Sequence, residues 1–227
     1  MNAPTDTRGP GRPAAERSPD VRAALLEAAR ERFVAVGFAA ASTRDIAARV
    51  GVNPAMISYY FGGKSALGEA VFRETIEPVR AHLATLGSVA AGSADIAVFV
   101  QAYQRTLAAN PWIPRLIVRE VLPENGRFRK IFFEEIVGQA AAALPKAVSA
   151  EQQRGHIAAD LDPTFTTVSL VSLAVFPFLA APVLHASFDI DLSKSDTLDS
   201  FIEHTLGVLA HGIAGVTDQK ENRGDAH

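Results

Sequence analysis

Apolar residues recur along this chain at three- and four-residue spacings, and the pattern predicts an all-α fold. Ser18-Pro19-Asp20 opens a first helix with an N-cap, a first-turn proline and an acid. Leu26, Ala29, Phe33 and Val36 form its buried stripe, leaving Arg22, Arg30 and Arg32 for solvent or phosphate. Gly37 ends it and places Phe38 to fold back on Phe33. Two short helices follow within residues 42–64. Ser42 caps the first, with Asp45 at capping-box spacing, and Ile46, Ala47 and Val50 share one face. Gly51 supplies a sharp exit and Val52 plugs the turn. Asn53-Pro54 starts the next helix, whose buried side is Ile57 and Phe61. A fourth helix, 64–86, turns Leu67, Val71, Phe72 and Ile76 inward, and Pro78 should bend it.

Beyond it, 87–93 reads as a loop and 95–109 as a helix with Ile96, Phe99, Tyr103 and Leu107 on one face, stopping at Asn110-Pro111. A short helix at 112–122 contains Pro114. Another starts near Arg127, carries Ile131, Phe132 and Ile136 into an alanine-rich stretch with Pro145 as a candidate kink, and closes at Gly155. Residues 163–188 contain no Asp, Glu, Lys or Arg. That length is enough for a membrane helix, which needs about 20 apolar residues. Threonines and serines dilute the run, however, and Pro177 and Pro182 interrupt it, so burial in a core or subunit interface is expected instead. A last helix near 199–214 repeats Phe201, Ile202, Thr205, Leu206, Leu209 and Ile213. These two segments, about 163–187 and 199–214, are the expected homodimer surface, a four-helix bundle about a two-fold axis. The division expected is a disordered basic arm at 1–17, a helix-turn-helix head at 18–68, a helical ligand-binding and dimerisation domain at 69–216, and a frayed tail at 217–227.

Composition narrows the class. With 227 residues, 48% hydrophobic and 21% charged, the chain suits one large or two small packed domains. It has no cysteine, which excludes disulfides and cysteine-ligated zinc. The first residues lack a basic-then-apolar export pattern, so a cytoplasmic location is expected. The net charge of −3 looks wrong for a nucleic-acid binder until it is divided. Residues 1–68 carry nine Lys/Arg against six Asp/Glu, and the remainder carries 13 against 19. The positive end is drawn to phosphate and the acidic end repelled. Within 1–17, Arg8 and Arg12 alternate with glycine and proline like a loosened AT-hook. Minor-groove contact and a solvated tail are both open readings.

The second of these short helices, opened by Asn53-Pro54, is too short to serve mainly as core, and entry into a DNA major groove is the better reason for it. Thr43, Arg44, Tyr59, Tyr60 and Lys64 surround its groove-facing end, where hydroxyls and cations at helix N-termini suit phosphate oxygens. Base contacts fall to Pro54, Ala55, Met56 and Tyr59, mainly against thymine methyls. Arg44 can instead sit beside Asp45 and solvent, and Tyr60 can be core. The helix has no Arg, Asn or Gln, so direct readout should be soft and DNA shape should matter. Thr43-Arg44-Asp45-Ile46-Ala47, Gly51-Val52, Tyr59-Tyr60-Phe61 and Lys64-Ser65-Ala66-Leu67 together resemble the N-terminal signature of TetR-type transcriptional regulators, over about residues 18–68. The resemblance implies a homodimeric repressor that binds double-stranded DNA at a near-palindromic operator and responds to a small-molecule effector. It also implies backbone contacts from Thr43, Tyr59 and Lys64. Ser58 stands where the family often has tyrosine, so a phosphate contact there is weakened or lost.

Ten of the 13 phenylalanines lie beyond the head. Phe99, Tyr103, Trp112, Phe132, Phe133, Phe176 and Phe178 can line an apolar effector cavity or can be plain core. Arg115 and Arg119, four apart, can pair with Glu120, Glu134 or Glu135, or can receive an anionic effector. The histidines are scattered, with no His-x-x-x-His, nucleophile elbow or phosphate-cradling loop. No catalytic residue, cofactor or metal site is therefore predicted, and His204 and His211 alone do not make one. A helical partner-binding module without DNA binding, and a membrane-associated helical protein, are the rival classes.

Overall fold

The computed structural model describes residues 18–92 and 95–211, so Arg8, Arg12, Ile213 and the expected tail lie outside the described residues. Every regular element among them is helical. The chain divides into two units, a head ending at Val71 and a body beginning at Phe72.

The head contains α1 (Ser18–Val36), α2 (Thr43–Val50), α3 (Ala55–Phe61) and the start of α4 (Lys64–Leu83). Its core is Leu25, Leu26, Ala29 and Phe33 from α1, Ile46 and Ala47 from α2, Ile57 from α3 and Leu67 from α4. Gly37 adopts φ 84° and donates its N–H to the Phe33 carbonyl. The Phe33 and Phe38 rings then meet at 5.3 Å, as the helix-ending pattern predicts.

In the body, Phe72, Ile76, Val79 and Leu83 of α4 are buried. Residues 87–90, expected as loop, belong to a short helix, α5 (Leu86–Ala90). Leu86 and Val89 are its buried anchors, and it packs on α9 (Gly138–Gln153); tertiary burial outweighs its glycine and serine content. Asp95 caps α6 (Ile96–Ala109) by accepting from the Ala97 N–H at 2.6 Å, and α7 (Trp112–Glu120) follows. The helix expected from Arg127 begins as α8 (Arg129–Phe132), passes through a π-helical turn (Phe133–Val137) and continues as α9.

The uncharged stretch is broken into α10 (Pro163–Leu179) and α11 (Ala181–Phe188), bent by 71°. Pro182 in the first turn of α11 has no N–H to continue the α10 ladder, which accounts for the break. No single described helix is long and apolar enough to cross a membrane. The expected burial holds for one face only. Leu170, Ala174, Pro177 and Phe178 are buried, whereas Phe165, Val168 and Phe176 on α10, and Val183 and Phe188 on α11, are exposed in the single chain. The last helix, α12 (Ser195–His211), packs on α6 and α10.

Candidate nucleic-acid interface

Local chemistry builds the α2–turn–α3 unit. Ser42 is extended and its Oγ accepts from the Asp45 N–H at 3.3 Å, satisfying one orphan donor of α2. Gly51 sits at φ 72°, ψ 29°, the left-handed region that favours glycine, and donates back to the Ala47 and Ala48 carbonyls. Val52 is half-buried and its N–H returns to the Ala47 carbonyl at 3.0 Å. Asn53 does the capping of α3, its Oδ1 accepting from the Ala55 N–H at 2.8 Å. These bonds fix the angle between two rods that are too short to hold it alone.

Charges tie α1 to α2. Arg32 pairs with Asp45, and Arg49 donates to Glu31 at 2.7 Å. Arg30 pairs with Glu27, and the Arg22 guanidinium lies 5.2 Å over the Phe61 ring. The expectation that Arg22, Arg30 and Arg32 are left over is therefore corrected: each already has a role inside the head. Asp45 turns to Arg32, and the neighbouring Arg44 is exposed at the first turn of α2.

On α3, Ile57 is fully buried and Tyr60 and Phe61 are half-buried. Ala55, Ser58 and Tyr59 form the opposite, exposed stripe, preceded by exposed Pro54, and Met56 is half-buried at its margin. Tyr59 is 77% exposed, with its ring edge-on to Tyr60 at 5.0 Å. Thr43 is half-buried at the start of α2. Lys64 opens α4, donates to the Ala39 carbonyl at 3.1 Å and lies 4.7 Å above the Phe38 ring. Sequence reasoning missed this internal use of Lys64, although Phe38 beyond the Gly37 turn signalled a ring in need of cover.

The candidate effector residues of the body fall into separate groups. Phe99 and Tyr103 flank the His82 ring at 4.3 and 5.4 Å, and the His82 Nε2 lies 2.9 Å from the Phe99 carbonyl. Burial lowers the His82 pKa, only partly offset by that bond, and pushes the Tyr103 phenol up to about 12. Phe132 joins a cluster in which Phe72 stacks on Phe128 at 4.7 Å. Phe178 is buried and Trp112 half-buried. Arg119, Phe133 and Phe176 are exposed in the chain, so these three do not line an enclosed space within it. Glu134 and Glu135 pair with Lys130 and Arg73 rather than with Arg115 or Arg119. No group of three metal-ligating side chains occurs among the described residues.

Comparisons with known proteins bear on the same two units. Residues 25–71 match the family described as bacterial regulatory proteins, tetR family, and residues 93–208 match the tetracyclin repressor-like C-terminal domain. The chain belongs to the TetR family. A relative, the probable HTH-type transcriptional regulator YttP of Bacillus subtilis, is 29% identical over 161 residues, 68% of this chain and 75% of that protein. Among solved structures, a TetR/AcrR regulator from Thermobifida fusca is similar at TM-score 0.59 and 23% identity, covering 86% of this chain and 99% of that one. The fatty acid degradation regulator FadR of Bacillus halodurans is similar at TM-score 0.65 and 16% identity, covering 92% and 100%. At these identities the structural matches show the fold. This TetR-family chain is a transcriptional regulator with a DNA-binding helix-turn-helix, which sets aside the reading of a helical module that does not bind DNA.

Proposed function

We propose that the protein is a homodimeric, cytoplasmic repressor that holds a near-palindromic operator through two copies of α3 and lets go when a small, largely apolar effector binds the body. The exposed stripe of α3 carries the reading. A tyrosine ring left 77% exposed on a seven-residue helix does little for the head's own packing, and it suits contact with a groove wall. In this reading Pro54, Ala55, Met56 and Tyr59 meet base edges, Thr43, Arg44, Tyr59, Tyr60 and Lys64 meet phosphates, and Ser58 adds only a weak contact beside them. Arg8 and Arg12 reach the minor groove from the arm. Two-fold symmetry sets the α3 helices about 34–36 Å apart on DNA, or one further turn away. The effector contacts are Phe99, Tyr103, Trp112, Phe132 and Phe178.

Release requires the effector to favour a conformer in which the heads leave that spacing, with α4, which continues from head to body, as the connection. DNA then weakens effector binding by the same factor. The test is an anisotropy titration of chain stripped of small molecules against its own upstream DNA at several salt concentrations. Salt-sensitive affinity is expected. Its absence for every duplex tried would remove the operator-binding proposal, and equal effector affinity with and without operator would remove the release mechanism.

A further inference from the structure

Pro177 lies inside α10, and with no N–H it leaves the Leu173 carbonyl, four residues back, without its helical donor. Gln104 of α6 supplies one. Its Nε2 reaches the Leu173 carbonyl at 3.4 Å from a side chain that is wholly buried. That bond fixes which way the amide faces, so Oε1 points elsewhere, and it has no partner among the described residues. A buried carbonyl oxygen without a donor is a standing cost to the fold, because its water was lost and nothing replaced it. Thr75 of α4 is a second buried polar side chain without a partner, standing two turns before His82 on the same helix face.

The charges of the body are distributed to match. Every lysine and arginine described between residues 72 and 211 is exposed. The buried carboxylates are Glu120 and Glu151, and Glu151 is held by Arg154 and His156. Tyr103, beside Gln104, stays a neutral phenol because burial raises its pKa to about 12. An anionic group brought inside would find no interior cation, and an unpaired buried charge is strongly disfavoured. We infer that the effector is an uncharged, largely apolar molecule bearing a hydrogen-bond donor, which Oε1 of Gln104 receives. The inference rests on the proposal that the body binds an effector, and it selects the class that the site takes. It also replaces Arg119 as the polar contact, since that residue lies on the surface.

Three probes with one skeleton test it on the full chain. N-phenyl-1-naphthylamine is neutral with one N–H donor, its N-methyl derivative lacks the donor, and 8-anilinonaphthalene-1-sulfonate adds a fixed negative charge. Fluorescence titration should show saturable binding of the amine at one site per chain. The N-methyl compound should bind about fivefold more weakly, the worth of one hydrogen bond, and the sulfonate at least about tenfold more weakly. Gln104→Leu should abolish the preference for N–H over N-methyl. Any general loosening of the fold would weaken both neutral probes alike, so the ratio isolates the bond. If Gln104→Leu does not fold, the three-probe comparison in the unaltered protein still decides. Equal binding of the sulfonate, a missing N–H preference, its survival in Gln104→Leu, or no saturable binding of the amine each overturns the inference. Binding in the expected order with unchanged operator affinity upholds the uncharged site and counts against release.

Discussion

At the scale of single residues, Lys64 and Gly126 show how much one position can carry. Lys64 holds the Ala39 carbonyl and covers Phe38, yet an ammonium has three donors and only one is spent there. If it also meets a phosphate, Lys64→Ala should weaken binding to all duplexes alike and reduce the salt slope by about 0.9. Loss of the internal contacts should lower head stability by about 1 kcal/mol. A changed sequence preference, read from competition between operators, would show that Lys64 touches bases instead. Gly126 is required for a different reason. A Cβ there would stand 2.7, 2.8 and 3.0 Å from the Val121, Glu120 and Pro123 carbonyl oxygens, all of them backbone. The turn it allows lets the Phe128 N–H bond the Glu120 carbonyl and sets Phe128 against Phe72. Gly126→Ala should therefore destabilise the body by about 1–3 kcal/mol, seen as a lower denaturant midpoint. An unchanged midpoint would mean that the turn opens at no cost.

At the scale of elements, the end of α9 is tied to α5 through one buried carboxylate. Glu151 accepts from Arg154 at 2.6 Å and His156 at 2.7 Å, and Arg154 also donates to the Val89 carbonyl of α5. Burial alone would raise the Glu151 pKa, but the bonds from Arg154 and His156 outweigh it and leave the pKa below the ordinary 4.5. A carboxyl with a depressed folded pKa stabilises above its unfolded value and loses that contribution as pH falls through the folded one. Glu151→Gln should thus be less stable than the parent by about 2 kcal/mol at neutral pH. The gap in thermal midpoint should close as pH drops below about 4.5. A gap that does not narrow at all as pH falls from about 4.5 would exclude ionisation as its source. None of this cluster was visible in the chain, because Glu151, Arg154 and His156 have the spacing of any polar helix end. Caps and turn glycines were legible, since Ser42, Gly51 and Asn53 act through bonds to their own neighbours. The π turn was not. It is one residue added to a helix whose apolar period continues past it, and it separates Phe132, half-buried near Phe72, from Phe133, exposed beside Arg129. The exposure of Phe133 and Phe176 was hidden in the same way: aromatic identity says that a ring wants cover, but only packing says from which side.

At the scale of the whole molecule, α10 has two apolar faces and one chain covers only the first. Thr167, Leu170, Ala174 and Phe178 turn inward, while Phe165, Val168 and Phe176 remain outside, with Val183 and Phe188 continuing the surface on α11. Regulators of this family act as dimers, and large side chains left outside on two successive helices are what a partner copy would cover. Phe176 is 60% exposed, so Phe176→Glu leaves the fold of the chain intact while setting a charge within that face. Sedimentation should show the parent as a dimer and the variant as a monomer with the same far-UV circular dichroism. Operator affinity should fall at least about hundredfold, because a monomer engages one half-site and loses the effective concentration that links the two heads. A rival use of the face, against a bilayer, predicts that the parent floats with lipid vesicles and that Phe176→Glu abolishes flotation without altering the oligomer. A variant that stays dimeric and keeps full operator affinity would move the two-fold axis away from α10 and α11.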